Sequence, residues 1–130
     1  MSLKQIDVVG AVILRDGLIL CAQRRPGGSL GGMWEFPGGK VEQGETAREA
    51  LIREIEEELL CEIVVGDEVT TTTHDYDFGT VTLTTFRCQL VDGEPTVTEH
   101  AEVRWVEPAR LGELVWAPAD WPAVAMLGAR

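Results

Sequence analysis

Three glutamates, Glu54, Glu57 and Glu58, stand three and four residues apart within one short stretch. At about 100° per residue these spacings put them on one side of a helix. A glutamate cluster on a helix is ordinarily a solvated face. Here it flanks an apolar ladder, Ala47, Leu51, Ile55 and Leu59, repeated every four residues along the same segment. Packing that ladder into a core carries Glu54 and Glu58 to the core's edge, while Glu56 points outward. Carboxylates crowded in a partly dry setting repel unless a proton or a cation lies between them. Mg²⁺ or Mn²⁺, hard ions that take oxygen ligands, are the natural bridge.

The segment ahead of the helix strengthens that reading. Pro37-Gly38-Gly39 interrupts the chain, and two glycines let a backbone approach a ligand closely. Lys40, Glu42, Gly44 and Glu45 follow, and Thr46 with Glu49 three residues on forms a capping box. The helix therefore starts near Thr46, and the ladder carries it to about Leu60. Together the residues spell Gly39-x5-Glu45-x7-Arg53-Glu54-Ile55-x-Glu57-Glu58, seven positions with fixed gaps.

Charge agrees with a cation-mediated site. The 130 residues hold 22 acids and 11 bases, a net −11, which argues against binding a nucleic-acid polymer through its backbone. Glu35 to Glu62 alone carries nine acids and three bases, a net −6. A phosphate compound approaching it needs metal as intermediary. The length favours a single domain over 1–130, and 45% apolar residues favour a packed core. No apolar run suits a bilayer and no leader pattern opens the chain, so a soluble, cytoplasmic protein without a membrane partner is expected. Cys21, Cys61 and Cys88 are too scattered for a zinc pair or a disulfide framework, and read as buried thiols. Oligomeric state is left open.

Around the helix, Ile6–Leu14 and Leu18–Arg24 read as strands joined by Arg15-Asp16-Gly17. Arg25–Gly32 reads as a loop and Trp34–Phe36 as a short strand. Ile63–Val69, Val81–Val91 and Val103–Val106 are strand-like, with a turn at Asp92-Gly93-Glu94-Pro95. Pro108–Leu114 and Trp121–Leu127 look helical, the latter with Asp120 as N-cap and Pro122 in its first turn. The mixture predicts an α/β (α+β) fold with a mixed sheet covered by helices.

The seven-position pattern resembles the Nudix box, the signature of Nudix hydrolases, and the resemblance runs from about Ile6 to Leu127. Trp34–Lys40, the Glu99–Trp105 spacing and Ala117-Pro118-Ala119-Asp120 look like the MutT branch. Ala22-Gln23-Arg24 and that tail look closest to CTP pyrophosphohydrolases. The resemblance implies an αβα sandwich with a mixed β-sheet between helices. It implies metal held by Glu54, Glu57 and Glu58 with the Gly38 carbonyl, and Arg53 held by Glu45 to orient those ligands. Glu99 matches the distal acid that ligates metal or activates water, with Glu102 its competitor. One position departs: the box has glycine where Leu60 stands, which puts the helix exit in doubt and removes no ligand.

The resemblance further implies attack of water inside a nucleoside triphosphate, releasing a nucleoside monophosphate and pyrophosphate. Glu54 and Glu99 both qualify as general base. Arg24 and Lys40 are candidates to offset phosphate charge, and Phe36 and Tyr76 to stack on the base. Asp120 matches a base-contacting position; an ionised carboxylate suits the exocyclic amine of cytosine, while a protonated one could also serve guanine. CTP or dCTP, or a modified pyrimidine nucleotide, is thus the expected substrate. The alternative is 8-oxo-dGTP, a nucleotide-pool-sanitation role. An ADP-ribose or dinucleoside polyphosphate hydrolase, or a non-catalytic Nudix-like domain, is less favoured: the chain is short and the box is missing no carboxylate.

Overall fold

The computed structural model describes residues 4–128. Strands β1 (Gln5–Arg15) and β2 (Leu18–Gln23) form the expected hairpin. Its central residues Asp16 and Gly17 have φ of 53° and 78°, the two left-handed positions of a type I′ turn. Then come β3 (Trp34–Glu35), β4 (Gly38–Lys40), α1 (Ala47–Leu59), β5 (Glu62–Tyr76), β6 (Gly79–Asp92), β7 (Glu102–Val106) and α2 (Trp121–Gly128). The strands form one mixed sheet of seven, with β1 parallel to β6 and the other strand pairs antiparallel.

Alternation along β1 builds two cores. Val9, Ala11 and Ile13 face α1, where they meet Leu51, Ile55 and Leu59. Val12 faces the other way and packs with Trp34, Phe36, Leu111, Trp116, Ala123 and Val124, the last two from α2. A mixed sheet lying between helical layers, the expected sandwich, follows from this period of two. The three cysteines are free and buried, as read from their spacing.

Three expectations are corrected. Gly38 and Gly39 do not break the chain but pair with Gly10 and Val9 as β4. The glycines are demanded by crowding: a Cβ on Gly38 would lie 1.9 Å from the Val9 carbonyl oxygen. β5 does not end at Val69; its threonines continue to Tyr76 against β6, through bulges near Glu68. Pro108–Glu113 is a 3₁₀ segment rather than an α-helix. Among the described residues no helix is long and apolar enough to cross a membrane.

Candidate functional site

Helix α1 begins with the capping box: Thr46 Oγ1 accepts from the Glu49 amide (3.1 Å) and Glu49 Oε1 accepts from the Thr46 amide (2.9 Å). Its buried stripe is Ala50, Leu51, Ile55 and Leu59. Glu54 and Glu58 are partly buried beside it, whereas Glu56 and Glu57 are exposed. The helical face inferred from spacing is therefore the face that meets β4.

Arg53 organises the carboxylates. Its Nε and Nη2 donate to Glu45 at 2.7 and 2.9 Å, a two-point bond. Nη1 reaches Glu54 Oε1 at 2.7 Å and Glu57 at 3.3 Å, and Nη2 also holds the Lys40 carbonyl at 3.1 Å. The guanidinium holds the partly buried Glu45 carboxyl down at about 2. Glu54 is pressed onto β4 so closely that a Cβ on Gly39 would lie 1.9 Å from its Oε2.

Glu58 is the strained member. Burial, with the charges of Glu54, Glu99 and Glu35 adding to it, pushes its carboxyl up to about 8. Its Oε1 is buried without a hydrogen-bond partner. An orphaned carboxylate oxygen beside further carboxylates is a donor set that suits a hard divalent ion, and the residues present fit one. Among the described residues no three acidic or histidine side chains yet converge on one point. Arg53 pairs with both Glu54 and Glu57.

Glu99 stands exposed on the loop before β7, close enough for its charge to act on Glu58. Its competitor Glu102 lies on β7 and is engaged by Arg104 at 2.8 and 3.1 Å. The loop is sewn to the end of α1: the Thr96 amide donates to the Leu59 carbonyl and Thr98 Oγ1 to the Glu58 carbonyl.

One cavity of about 620 Å³ is lined by Gly38, Gly39, Glu54 and Glu58 and also by Arg24, Tyr76 and Asp120. That volume lies within the range of small-molecule sites. Lys40 lines it as well, exposed on β4. Asp120 is buried, and its Oδ1 accepts from the Phe36 amide at 3.0 Å. Its carboxylate is thus spent on Phe36, not on capping α2 as expected. Burial, largest among the causes, pushes this carboxyl up to about 8. Phe36 is 3% exposed and packs on Trp116, so it is chiefly core. Tyr76 accepts from the Ala119 amide at 2.8 Å and stacks on Phe78, their rings 5.0 Å apart.

Three lining or supporting residues escaped the sequence reading: Glu35, Phe78 and His100. Phe78 lies in the turn just after β5, where strand alternation no longer applies, so no periodicity marked it. Glu35 bonds both Arg24 and His100, pairings over 11 and 65 residues that no local pattern announces.

Comparison with known proteins agrees with this geometry. The NUDIX domain model matches residues 8–126. The Mycobacterium tuberculosis protein named "Putative 8-oxo-dGTP diphosphatase 2" is 42% identical over 125 residues, covering 91% of this chain and 84% of that one. The CTP pyrophosphohydrolase of Escherichia coli K12 is 39% identical over 120 residues, covering 92% and 89%. A solution structure of a MutT protein, family Nudix hydrolase, from methicillin-resistant Staphylococcus aureus 252 superposes with a TM-score of 0.81. It is 55% identical, and 98% of each chain is covered. The chain belongs to the Nudix hydrolase family, whose members generally use divalent metal ions.

Proposed function

We propose that this Nudix hydrolase converts CTP or dCTP, with Mg²⁺, to the nucleoside monophosphate and pyrophosphate. Glu54, Glu57, Glu58 and Glu99, with the Gly38 carbonyl, would hold the metal, and Arg53 braced by Glu45 would orient them. The ion supplies neutralisation of phosphate charge and activation of water. Arg24 and Lys40, both lining the cavity, offset the remaining phosphate charge. Water attacks an internal phosphorus, the bond to the departing pyrophosphate oxygen breaks, and a carboxylate takes the water's proton. We assign that proton to Glu99, because Glu54 Oε1 is already committed to Arg53.

The state of Asp120 carries the choice of base. With its carboxyl raised to about 8, the residue enters neutral solution as an acid with one donor and one acceptor face. Oδ2–H can donate to cytosine N3 while Oδ1, keeping a lone pair beside the Phe36 amide, accepts from cytosine N4. An ionised Asp120 offers acceptors alone, which suit the N1–H and N2–H edge of guanine. This supports a second reading, 8-oxo-dGTP hydrolysis, at higher pH.

The test is a panel of CTP, dCTP, 5-methyl-dCTP, dGTP and 8-oxo-dGTP with Mg²⁺, assayed at pH 6.5 and 9 with product identification. The ratio of kcat/KM for dCTP over 8-oxo-dGTP is expected to exceed one at pH 6.5 and to fall as pH rises. A preference of orders of magnitude for the oxidised purine at both pH values overturns the cytosine assignment. Release of orthophosphate alone contradicts the bond proposed to break.

A further inference from the structure

We infer that His100 is a positioning residue for hydrolysis, acting through a carboxylate it shares with Arg24. His100 is 5% exposed, and its Nε2 lies 3.0 Å from Glu35 Oε2. The other oxygen of the same carboxylate, Oε1, accepts from Arg24 Nη1 at 3.0 Å. Glu35 is therefore a fork: one arm fixes a cavity-lining guanidinium, the other fixes the residue next to Glu99.

The imidazole is a costly choice for a packed position. Its Nδ1 is buried with no hydrogen-bond partner, a desolvation cost that an apolar side chain would not incur. The Glu35 carboxylate oxygen accepts, so the geometry assigns the proton of this bond to Nε2. The loop is otherwise held around this point through its backbone or by Thr98. Arg25 Nη2 donates to the Thr98 carbonyl at 3.0 Å, and the Ala101 amide donates to the Gln23 carbonyl at 2.9 Å. Among the described residues, His100 is the side chain that ties residues 99 and 100 to the cavity wall. Losing its donor removes the side-chain hold beside Glu99 and leaves Glu35 to pivot on Arg24.

The inference rests on the roles proposed above for Arg24 and Glu99. The experiment compares H100Q, whose amide nitrogen can donate to Glu35, with H100L, which fills the space without a donor. With Mg²⁺ and either dCTP or 8-oxo-dGTP, H100L is expected to lose at least about tenfold in kcat and to raise KM about fivefold. H100Q is expected to stay within about threefold of wild type. Melting temperatures keep folding in view. Independently of turnover, ¹⁵N NMR of the nucleotide-free wild-type protein is expected to show the Nε2–H tautomer, shifted in E35Q. Wild-type constants in H100L, equal damage in folded H100Q and H100L, or an Nδ1–H tautomer overturns the assignment. If E99Q turns over normally, the role of Glu99 fails separately, and the KM effect of H100L still decides the fork to Arg24.

Discussion

Leu60 follows α1 with φ 56° and ψ 37°, the left-handed conformation that the box glycine ordinarily supplies. The backbone has kept its geometry and the side chain bears the cost, about 1–2 kcal/mol for a residue with a Cβ. Leu60 recovers part of this by packing, since it is 58% exposed and so about two-fifths covered. That fraction of a fully buried leucine is worth roughly 1 kcal/mol. Replacing it by glycine relieves the strain, forfeits the packing and adds about 0.5–1 kcal/mol of chain entropy. These effects nearly cancel, so L60G alone tests little. L60A forfeits the same packing and keeps the strain. The gap between L60G and L60A is therefore the diagnostic quantity, about 1 kcal/mol in favour of glycine. In a helix interior alanine beats glycine by about that amount, so the sign itself is informative. Urea unfolding of the three proteins measures the gap, and a melting difference of roughly 3–6 °C accompanies it. Alanine as stable as glycine at position 60 refutes the left-handed exit.

Further predictions concern the site. Glu57→Gln is expected to abolish turnover with the circular-dichroism spectrum and melting temperature unchanged, since Glu57 is exposed; retained activity sinks its metal assignment. Gly39→Ala forces the Glu54 carboxylate away, because the new Cβ falls 1.9 Å from Oε2, and kcat is expected to drop at least about tenfold in a folded protein. Wild-type kcat in G39A means that the position of Glu54 is not critical. Asp120 has a folded pKa raised from 3.8 to about 8, so its stabilising contribution is full below pH 4 and lost as pH rises towards 8. D120N has no such dependence and is expected to gain on wild type between pH 5 and 8.5 in urea midpoint; a constant gap contradicts the buried acid.

Local signals described most of the fold well. The capping box placed the start of α1 within a residue, and the four-residue ladder named the side chains that meet the sheet. Asp16-Gly17 announced its hairpin for an equally local reason. The failures have a common cause in contacts between distant parts of the chain. Thr70 to Thr73 read as neither apolar nor alternating, yet they become strand because β6 lies alongside to pair with them. Gly38 and Gly39 look like a chain break until Val9 and Glu54 are found pressed against them.

The same division runs through the site. Its acidic part was legible because Glu45, Arg53, Glu54, Glu57 and Glu58 lie within one cap and one helix, where spacing alone dictates who meets whom. The part proposed to meet the base depends on bonds such as Phe36 to Asp120, 84 residues apart, which no periodicity encodes. Asp120 shows the consequence. Read as a residue type it was an ionised acceptor suited to cytosine N4, with a protonated acid that could serve guanine left open. Buried against β3 and accepting from the Phe36 amide, its carboxyl is pushed up to about 8. Chemistry set by neighbours in sequence was thus foreseeable, and chemistry set by burial was not, because desolvation is a property of the assembled cavity.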